Sequence, residues 1–298
     1  MSYRVKKNGV HKGKQSYKCL SCLKSFQNKK RRGILRKNVW KKYSSGKHIV
    51  SEVSADLNIS SRSVHNYLNQ IEKPTLVYPD IPCHIMVIMD CVYFRRVCVY
   101  LVIRNWYTHK NIYFKRIPYE TIADYVLTID NLERHGYIID GIVVDGRKGV
   151  FEALSSNYPI QMCQFHQKQI VRRYLTNKPQ TEAGIILKEI VKQLTQVDQQ
   201  WFEILLDVWE LKYGGFIKER TVNPVTKRWF YTHKRLRSAY RSLRKNLPYL
   251  FTYQKVENMP NTTNSLDSFF GHLKDAVSIH RGLKLHRKTK LIEHLIVR

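Results

Sequence analysis

The sequence predicts an α/β fold in which a core of strands and helices contains a long helical segment and follows a basic N-terminal region. Three observations predict this organisation. Short β-rich runs alternate with amphipathic helical stretches in residues 83–178, helical periodicity dominates residues 179–258, and a proline-rich linker at residues 74–82 separates both from the preceding region. Residues 259–298 then return to the core with an amphipathic helix.

Composition limits the partners of the chain. It has 52 Lys+Arg against 23 Asp+Glu, and this formal net charge of +29 favours nucleic acid. No apolar run reaches the roughly 18 residues that a membrane-spanning helix needs, and the N-terminus lacks the apolar region of a signal peptide. Six cysteines in 298 residues do not form the pattern of a disulfide framework. We therefore expect a reducing, cytoplasmic compartment and no membrane partner.

Residues 1–30 predict a partial zinc ribbon. Polar and apolar residues alternate around Cys19 and Cys22, as in the second hairpin of such a ribbon. Tetrahedral zinc needs four ligands, and the first C-x-x-C pair would normally lie upstream. His11 is a candidate third ligand, although a lone histidine is more often solvated. We expect bound Zn²⁺ only if an upstream C-x-x-C pair exists, and a disordered basic tail is the alternative.

Residues 31–73 predict a helix-turn-helix. A helix at 34–43 precedes two more between residues 50 and 71, with Asn58 suited to the left-handed turn and Ser60 to the cap of the second. The inward stripe of that helix is Val64, Tyr67, Leu68 and Ile71. Its outward polar residues could reach base edges and phosphates in a major groove: Arg62, Ser63, His65, Asn66 and Asn69. An ordinary helical hairpin is the alternative.

Residues 83–178 predict the order of a ribonuclease-H-like core. Strands at 84–93, 96–105 and 111–119 precede a helix at 121–135, a strand at 138–145, a short helix after 149, a strand at 160–165 and a helix from about 166. In that order the first and fourth strands are neighbours in the sheet. Asp90 and Asp145, which lie at those two strands, should therefore be side by side.

Asp267 is the best candidate for a third acid near this pair. It lies on a helix whose packing stripe is Leu266, Phe269, Phe270, Leu273 and Val277. Neighbouring carboxylates repel unless a cation lies between them, and Mg²⁺ prefers oxygen ligands. Each acid has an ordinary alternative, as a turn residue or a first-turn helix acid. Considered together, Asp90, Asp145 and Asp267 predict a site for Mg²⁺.

Four stretches carry a resemblance to a known family. They are Met89-Asp90-Cys-Val-Tyr93, Val143-Val-Asp145-Gly146, Cys163-Gln-Phe-His166 and Asn261-Thr-Thr-Asn-Ser-Leu-Asp267. Together they resemble the DDE transposases of bacterial insertion sequences, in the Mutator-like branch, and the last stretch is the most specific. The resemblance extends over nearly the whole chain.

The resemblance implies metal-dependent cleavage and strand transfer at the ends of a mobile element, with Asp90, Asp145 and Asp267 as catalytic metal ligands. It also implies an all-helical insertion domain, double-stranded DNA as element ends and target, and a place at the bacterial nucleoid. Because two DNA ends must be brought together, a homodimer or larger assembly on DNA is expected.

One departure from the family pattern concerns the third acid, which is usually Glu. Asp267 is one methylene shorter, and a cage about 1 Å too wide can cost on the order of 10²-fold in rate. Some relatives use three aspartates. The alternative function is therefore a weak or inactive transposase remnant that only binds specific DNA sequences. A junction resolvase of the same fold is a further alternative, which the N-T-T-N motif and the helix-turn-helix disfavour.

Residues 163–173 predict supporting contacts beside the acids. Cys163 and His166 alone do not make a metal site, because a zinc site needs more than two protein ligands. We expect Cys163 to be buried in a strand, and His166 to begin the next helix, where it could contact a phosphate or hold Asp145. Lys168, Arg172 and Arg173 are expected to follow the DNA backbone, and a solvated basic face is the alternative.

Overall fold

The structure is a computed structural model that describes residues 4–27, 32–45, 48–94, 98–147, 149–280 and 283–297. Residues 1–3 and 28–30 of the predicted ribbon, and residues 96 and 97 of the predicted second core strand, lie outside the described residues. The chain divides into two units. The first is Met1–Lys73 with Ser278–Leu291, and the second is Pro74–Val277 with Ile292–Arg298.

The first unit begins with a small antiparallel sheet in the order β1-β2-β3. Its strands are β1 (Val5–His11), β2 (Lys14–Cys19) and β3 (Ser25–Gln27). The β2–β3 pair is the hairpin that the sequence predicts, and β1 extends it. The rings of Tyr17 and Phe26 stack across this pair with centroids 5.9 Å apart.

Helices α1 (Arg32–Ser45), α2 (Val50–Leu57) and α3 (Ser61–Asn69) follow in the same unit. Asn58 adopts the left-handed conformation between α2 and α3, with φ 48° and ψ 54°. The hydroxyl of Ser60 accepts a hydrogen bond from the Ser63 N–H at 3.2 Å, which satisfies one of the free donors at the start of α3. The turn and the cap expected from the sequence are both present.

The second unit contains a mixed sheet. Its elements to residue 175 are β4 (Cys83–Phe94), β5 (Cys98–Asn105), β6 (Lys110–Ile117), α4 (Ile122–Arg134), β7 (Tyr137–Val144), α5 (Val150–Leu154), β8 (Ile160–Met162) and α6 (Gln164–Leu175). Within the described residues, five strands form this sheet in the order β6-β5-β4-β7-β8. Strand β4 is antiparallel to β5 and parallel to β7. The first and fourth strands are therefore neighbours, as the sequence predicts.

The insertion differs from the all-helical expectation. It contains α7 (Glu182–Gln193), α8 (Gln199–Tyr213), β9 (Arg220–Val222), β10 (Trp229–Tyr231) and α9 (Lys234–Leu250). Strands β9 and β10 pair as an antiparallel hairpin, so the prediction of an all-helical insertion is wrong. The hairpin forms because β-branched and aromatic residues flank a turn in which Asn223 Oδ1 accepts hydrogen bonds from Val225 and Thr226.

The C-terminal segment contains two helices, whereas the sequence predicts one. The prediction of a single helix in residues 259–298 is therefore wrong. They are α10 (Asn264–Ile279) and α11 (Leu285–Val297). The second helix has its own apolar spacing, with Leu291, Ile292 and Ile296 buried. Residues 278–291 cluster with the first unit, so residues 259–298 do not belong to the core alone.

Alternation along β4 separates two hydrophobic clusters on opposite faces of the sheet. Ile85, Val87 and Met89 belong to the cluster that includes α4, α6 and the inserted helices. Met86 and Ile88 belong to the other cluster, with α10 and the end of α11. No helix in the described ranges combines the length and hydrophobicity that a bilayer crossing requires.

Candidate functional site

Asp90 lies on β4, and Asp145 directly follows β7, the parallel strand beside it. The register pairs Met89 of β4 with Val144 of β7, and each acid is the next residue after its member of this pair. Side chains alternate between the two faces of a strand, so Asp90 points to the same face as Met86 and Ile88. This is the face on which α10 packs. Its side chain is only 8% exposed. The strand order therefore brings these two carboxylates together beneath the helix that carries Asp267.

Burial and nearby negative charges raise the pKa of both acids. Burial raises the pKa of Asp90, and the negative charges of Asp145 and Asp267 raise it further. Burial also raises the pKa of Asp145, with Glu120 as the next cause. The Cys91 N–H donates to Asp90 Oδ1 at 2.6 Å, which favours the charged form but does not outweigh these effects. A cation between such groups would relieve the repulsion.

Asp267 occupies the first turn of α10 and is held by Thr263. The Thr263 hydroxyl donates to Asp267 Oδ2 with 3.0 Å between the oxygens. The N–H of the same buried threonine donates to Cys163 Sγ at 3.3 Å, and its Oγ1 lies 3.4 Å from His166 Nδ1. The C-x-x-H and N-T-T-N stretches, about 100 residues apart along the chain, thus form one hydrogen-bonded network.

Two further hydrogen bonds join these stretches beside the network. The N–H of Gln164 donates to the carbonyl oxygen of Asn261 at 2.9 Å, and Asn261 Nδ2 donates to Gln164 Oε1 at 3.0 Å. Because both contacts involve the start of α6, they fix the loop before α10 against that helix. The position of Asp267 therefore depends on the C-x-x-H stretch.

Cys163 is fully buried, as expected, but it caps α6 and lies one residue beyond β8. Its N–H still donates to the Val144 carbonyl at 2.8 Å, next to Asp145. His166 lies in the first turn of α6, which begins two residues earlier than predicted. Interaction with the Cys163 thiol raises the pKa of His166, and the charges of Asp267 and Asp90 raise it further. A cationic imidazole is therefore favoured beside the acids.

Glu120 is a fourth carboxylate at this site, and no motif in the sequence indicates it. It lies between β6 and α4, where its carboxylate accepts hydrogen bonds from Tyr93 and, at 2.7 Å, from Tyr125. Arg147 Nε lies 3.1 Å from Glu120 Oε1. A cavity of about 390 Å³ is lined by Glu120, Asp145, Gly146, Arg147, His166, Gln169, Ile170 and Arg173. Glu120 and Asp145 thus line the same cavity, together with the basic side chains of Arg147 and Arg173.

The three basic residues of α6 have different surroundings. Lys168 Nζ donates to the Lys192 carbonyl at 3.2 Å and to Thr195 Oγ1 at 2.9 Å, which places it at the end of α7. Arg172 Nε donates to Asn177 Oδ1 at 2.7 Å. Arg173 lines the cavity that contains Glu120 and Asp145. Of these three residues, Arg173 therefore lies beside the candidate site.

The predicted DNA-contacting residues of α3 are not equally accessible. Arg62 and Asn66 are exposed, whereas Ser63 and His65 are half-buried. Arg287 of α11 donates to Asn69 Oδ1 at 2.7 Å, and its guanidinium lies 3.0 Å from His65 Nδ1. In this first unit, the outward face of α3 is thus partly covered by the chain's own C-terminal segment.

The predicted zinc site has two cysteines, and the predicted magnesium site has three aspartates. Cys19 ends β2 and Cys22 lies exposed in the following turn. Within the part of the chain that the structure describes, no group of three or more His, Cys, Asp or Glu side chains is placed to hold a metal ion. The described cysteines form no disulfide. The charges of Asp145 and Asp267 raise the pKa of Asp90, but the three carboxylates are not placed so that they could hold one ion together.

No protein-family model and no curated protein matches this sequence. Among solved structures, the chain is similar to the "Drosophila P element transposase strand transfer complex". The alignment covers 88% of this chain and 92% of that chain, at 11% identity and a TM-score of 0.39. A likeness at this level assigns neither a family nor an activity to the chain.

Proposed function

We propose that this protein is a DNA transposase that cleaves and joins phosphodiester bonds at the ends of an insertion sequence, with Mg²⁺ or Mn²⁺ as cofactor. The observation that carries the proposal is the position of Asp90 beside Asp145, since each directly follows a residue of the pair Met89–Val144 on neighbouring parallel strands. Both have raised pKa values, and the charge of Asp267 contributes to the shift of Asp90. Carboxylates clustered in this way fit a site that binds divalent cations.

The sheet supports the same proposal. Its order β6-β5-β4-β7-β8, with β4 antiparallel to β5 and parallel to β7, is the arrangement expected of a ribonuclease-H-like core. Together with the four sequence motifs, this order favours the DDE transposases of the Mutator-like branch.

The donor set at the site suits a hard divalent cation, because carboxylate oxygens are the ligands that Mg²⁺ and Mn²⁺ prefer. Asp90 and Asp145 would hold the ion and Asp267 would complete its ligands. The three carboxylates are not placed to hold an ion together in this structure, so the proposal requires them to move closer when the ion binds. The bound ion would supply an activated oxygen nucleophile and stabilise the leaving oxygen.

The remaining residues of the site would bind the DNA backbone and orient Asp267. His166, with its raised pKa, would offer positive charge to a phosphate of the DNA backbone. Arg173 lines the same cavity and would do the same. Thr263 would hold Asp267 through its hydroxyl while the acid contributes to the site.

We propose double-stranded DNA as the partner, both as element ends and as target, bound by a homodimer or larger assembly. The net charge of +29 and the exposed Arg62 and Asn66 on α3 support this proposal. We further propose a bacterial, nucleoid-associated location. Zn²⁺ at Cys19 and Cys22 would require ligands beyond this chain's own pair.

Strand transfer tests the proposal directly. The substrate is linear DNA with the two sequences that flank the reading frame, incubated with a target plasmid and Mg²⁺ or Mn²⁺. We expect wild-type protein to join the ends to the plasmid, and Asp90→Asn to abolish joining while it still binds the DNA. The proposal is rejected if wild type binds the ends but neither cleaves nor joins them.

The second candidate is a remnant that only binds DNA. It is favoured by the short side chain of Asp267 and by the lack of a group of three metal-binding side chains among the described residues. Asp267→Glu separates the two candidates, because it restores the longer acid of the family motif. Activity that appears only in Asp267→Glu would identify the natural chain as the remnant.

A further inference from the structure

The β9–β10 hairpin carries cationic and aromatic side chains on one face. Arg220 pairs with Tyr231, and Val222 pairs with Trp229, so these four side chains share a face. The guanidinium carbon of Arg220 lies 4.2 Å from the Trp229 ring centroid and 5.7 Å from that of Tyr231. Arg237 of α9 lies 4.0 Å from the Tyr231 centroid. We call Arg220, Trp229, Tyr231 and Arg237 the arginine–aromatic ladder.

The ladder is accessible to a ligand. Trp229 is 53% exposed even though Arg220 packs over its ring. Phe230, which points to the opposite face of the hairpin, is 46% exposed. The Tyr231 ring meets the indole edge-on, with centroids 5.4 Å apart. A single exposed aromatic ring needs no explanation, but an indole that stays half exposed beside a guanidinium presents apolar surface next to positive charge.

The base of the hairpin is anchored, so the ladder is preorganised. The Thr232 N–H donates to the Glu219 carbonyl at 3.0 Å, and the hydroxyls of Thr221 and Thr232 are 2.8 Å apart. The His233 ring stacks on Phe216, with centroids 3.6 Å apart. Because Arg220 and Arg237 already pack on the rings of Trp229 and Tyr231, less side-chain freedom remains to be lost when a ligand binds.

The charge around the ladder indicates an anionic ligand. Residues 218–237 contain seven Lys+Arg (Lys218, Arg220, Lys227, Arg228, Lys234, Arg235 and Arg237) and one acid, Glu219. Single-stranded nucleic acid binds to surfaces that combine such charge with aromatic rings, because phosphates take the cations and bases stack on the rings. In a duplex the base faces are already stacked on one another, so they cannot reach an indole.

We propose that the arginine–aromatic ladder binds single-stranded DNA by stacking an unpaired base on Trp229. Arg220 covers one side of the indole and the base would take the other, while Arg220 and Arg237 contact the flanking phosphates. The proposal is independent of the acidic site, because stacking needs neither a divalent cation nor catalysis. It adds a binding surface for unpaired DNA to the inserted segment.

Binding of unpaired and paired DNA by the full chain tests the proposal. Fluorescence anisotropy in EDTA would compare a labelled oligothymidylate of about twenty nucleotides with a duplex of equal length. We expect Trp229→Ala to weaken oligothymidylate binding about 10-fold and duplex binding less than about 2-fold. Trp201→Ala is the matched control, since Trp201 is 51% exposed on α8 and has no part in the ladder. It should change neither affinity by more than about 2-fold.

A conservative variant guards against misfolding. Trp229→Phe keeps an aromatic ring, so it should retain oligothymidylate binding to within about 3-fold. It should also lose the tryptophan quenching that oligothymidylate produces in wild type, because stacked bases quench indole emission. The proposal is overturned if Trp229→Ala weakens both DNAs equally or neither, or if Trp229→Phe quenches as wild type does.

Discussion

The hydroxyl of Thr263 donates a hydrogen bond to the carboxylate of Asp267 across one helical turn, with 3.0 Å between Oγ1 and Oδ2. The same threonine is tied to Cys163 through its N–H. The third acid is therefore oriented by the C-x-x-H stretch, which otherwise contributes only two potential metal ligands. This connection gives the stretch a structural role at the candidate site.

Thr263→Val should weaken Mn²⁺ binding by about 10-fold, because loss of a hydrogen bond that orients a ligand typically costs 10- to 100-fold in metal affinity. Isothermal titration with Mn²⁺ would measure the change. Thr263→Ser keeps the hydroxyl and is the matched control, expected within about 3-fold of wild type. Equal affinities for wild type and Thr263→Val would show that this hydrogen bond does not position Asp267 for metal.

Without divalent cations, the contribution of the acidic site to stability should fall as the pH rises. Asp90 and Asp145 have raised pKa values, so above the unfolded value near 3.8 the folded state retains protons that the unfolded state releases. Stability then decreases with pH until the folded groups also ionise. His166 acts in the same direction, because its raised pKa gives stability that is lost as the pH rises through that value.

Thermal unfolding in EDTA and in Mn²⁺ would measure this dependence. Mn²⁺ should raise Tm more at pH 8 than at pH 5, since protons compete with the cation for the carboxylates. Asp90→Asn should reduce the fall in stability with pH in EDTA. A Tm increment from Mn²⁺ that is the same at both pH values would contradict the assignment of the acids as its ligands.

Glu120→Gln should destabilise the protein by about 1 kcal/mol. It removes the charge that pairs with Arg147, and water screens this pair because Arg147 is a third exposed. Removal of the neighbouring negative charge should also lower the pKa of Asp145. Urea unfolding would measure the first effect, with Glu189→Gln as the control because its pair with Lys192 is fully at the surface. An equal loss in both variants would rule out a special role for Glu120.

Arg62→Ala should weaken duplex binding and reduce the slope of log K against log salt by about 1, because one phosphate contact is lost. Arg62 is exposed on α3. Lys168→Ala should leave both quantities unchanged, since that ammonium is bonded to the end of α7. Binding isotherms at several salt concentrations would measure the duplex affinity and the salt slope of each variant. A larger loss for Lys168→Ala than for Arg62→Ala would place the duplex on α6 and contradict the helix-turn-helix proposal.

Strands β4 to β7 of the core were predictable because their apolar, β-rich runs are long enough to be recognised. Their order then placed Asp90 beside Asp145. The β9–β10 hairpin was not predicted, because its two three-residue strands lie within a segment whose apolar spacing is mostly helical. Glu120 was missed because it lies in a connection, and only tertiary packing brings it to Asp145. The Arg287–His65 contact joins residues 222 positions apart, which no local pattern reveals.

Binding of Mn²⁺ at the paired aspartates tests the central claim most directly. Crystals of the protein with a DNA end and Mn²⁺, measured at a wavelength where manganese scatters anomalously, would locate the ion. We predict an anomalous peak within about 2.5 Å of carboxylate oxygens of both Asp90 and Asp145, with Asp267 drawn towards it. A peak elsewhere, or none between these two aspartates at saturating Mn²⁺, would contradict the account.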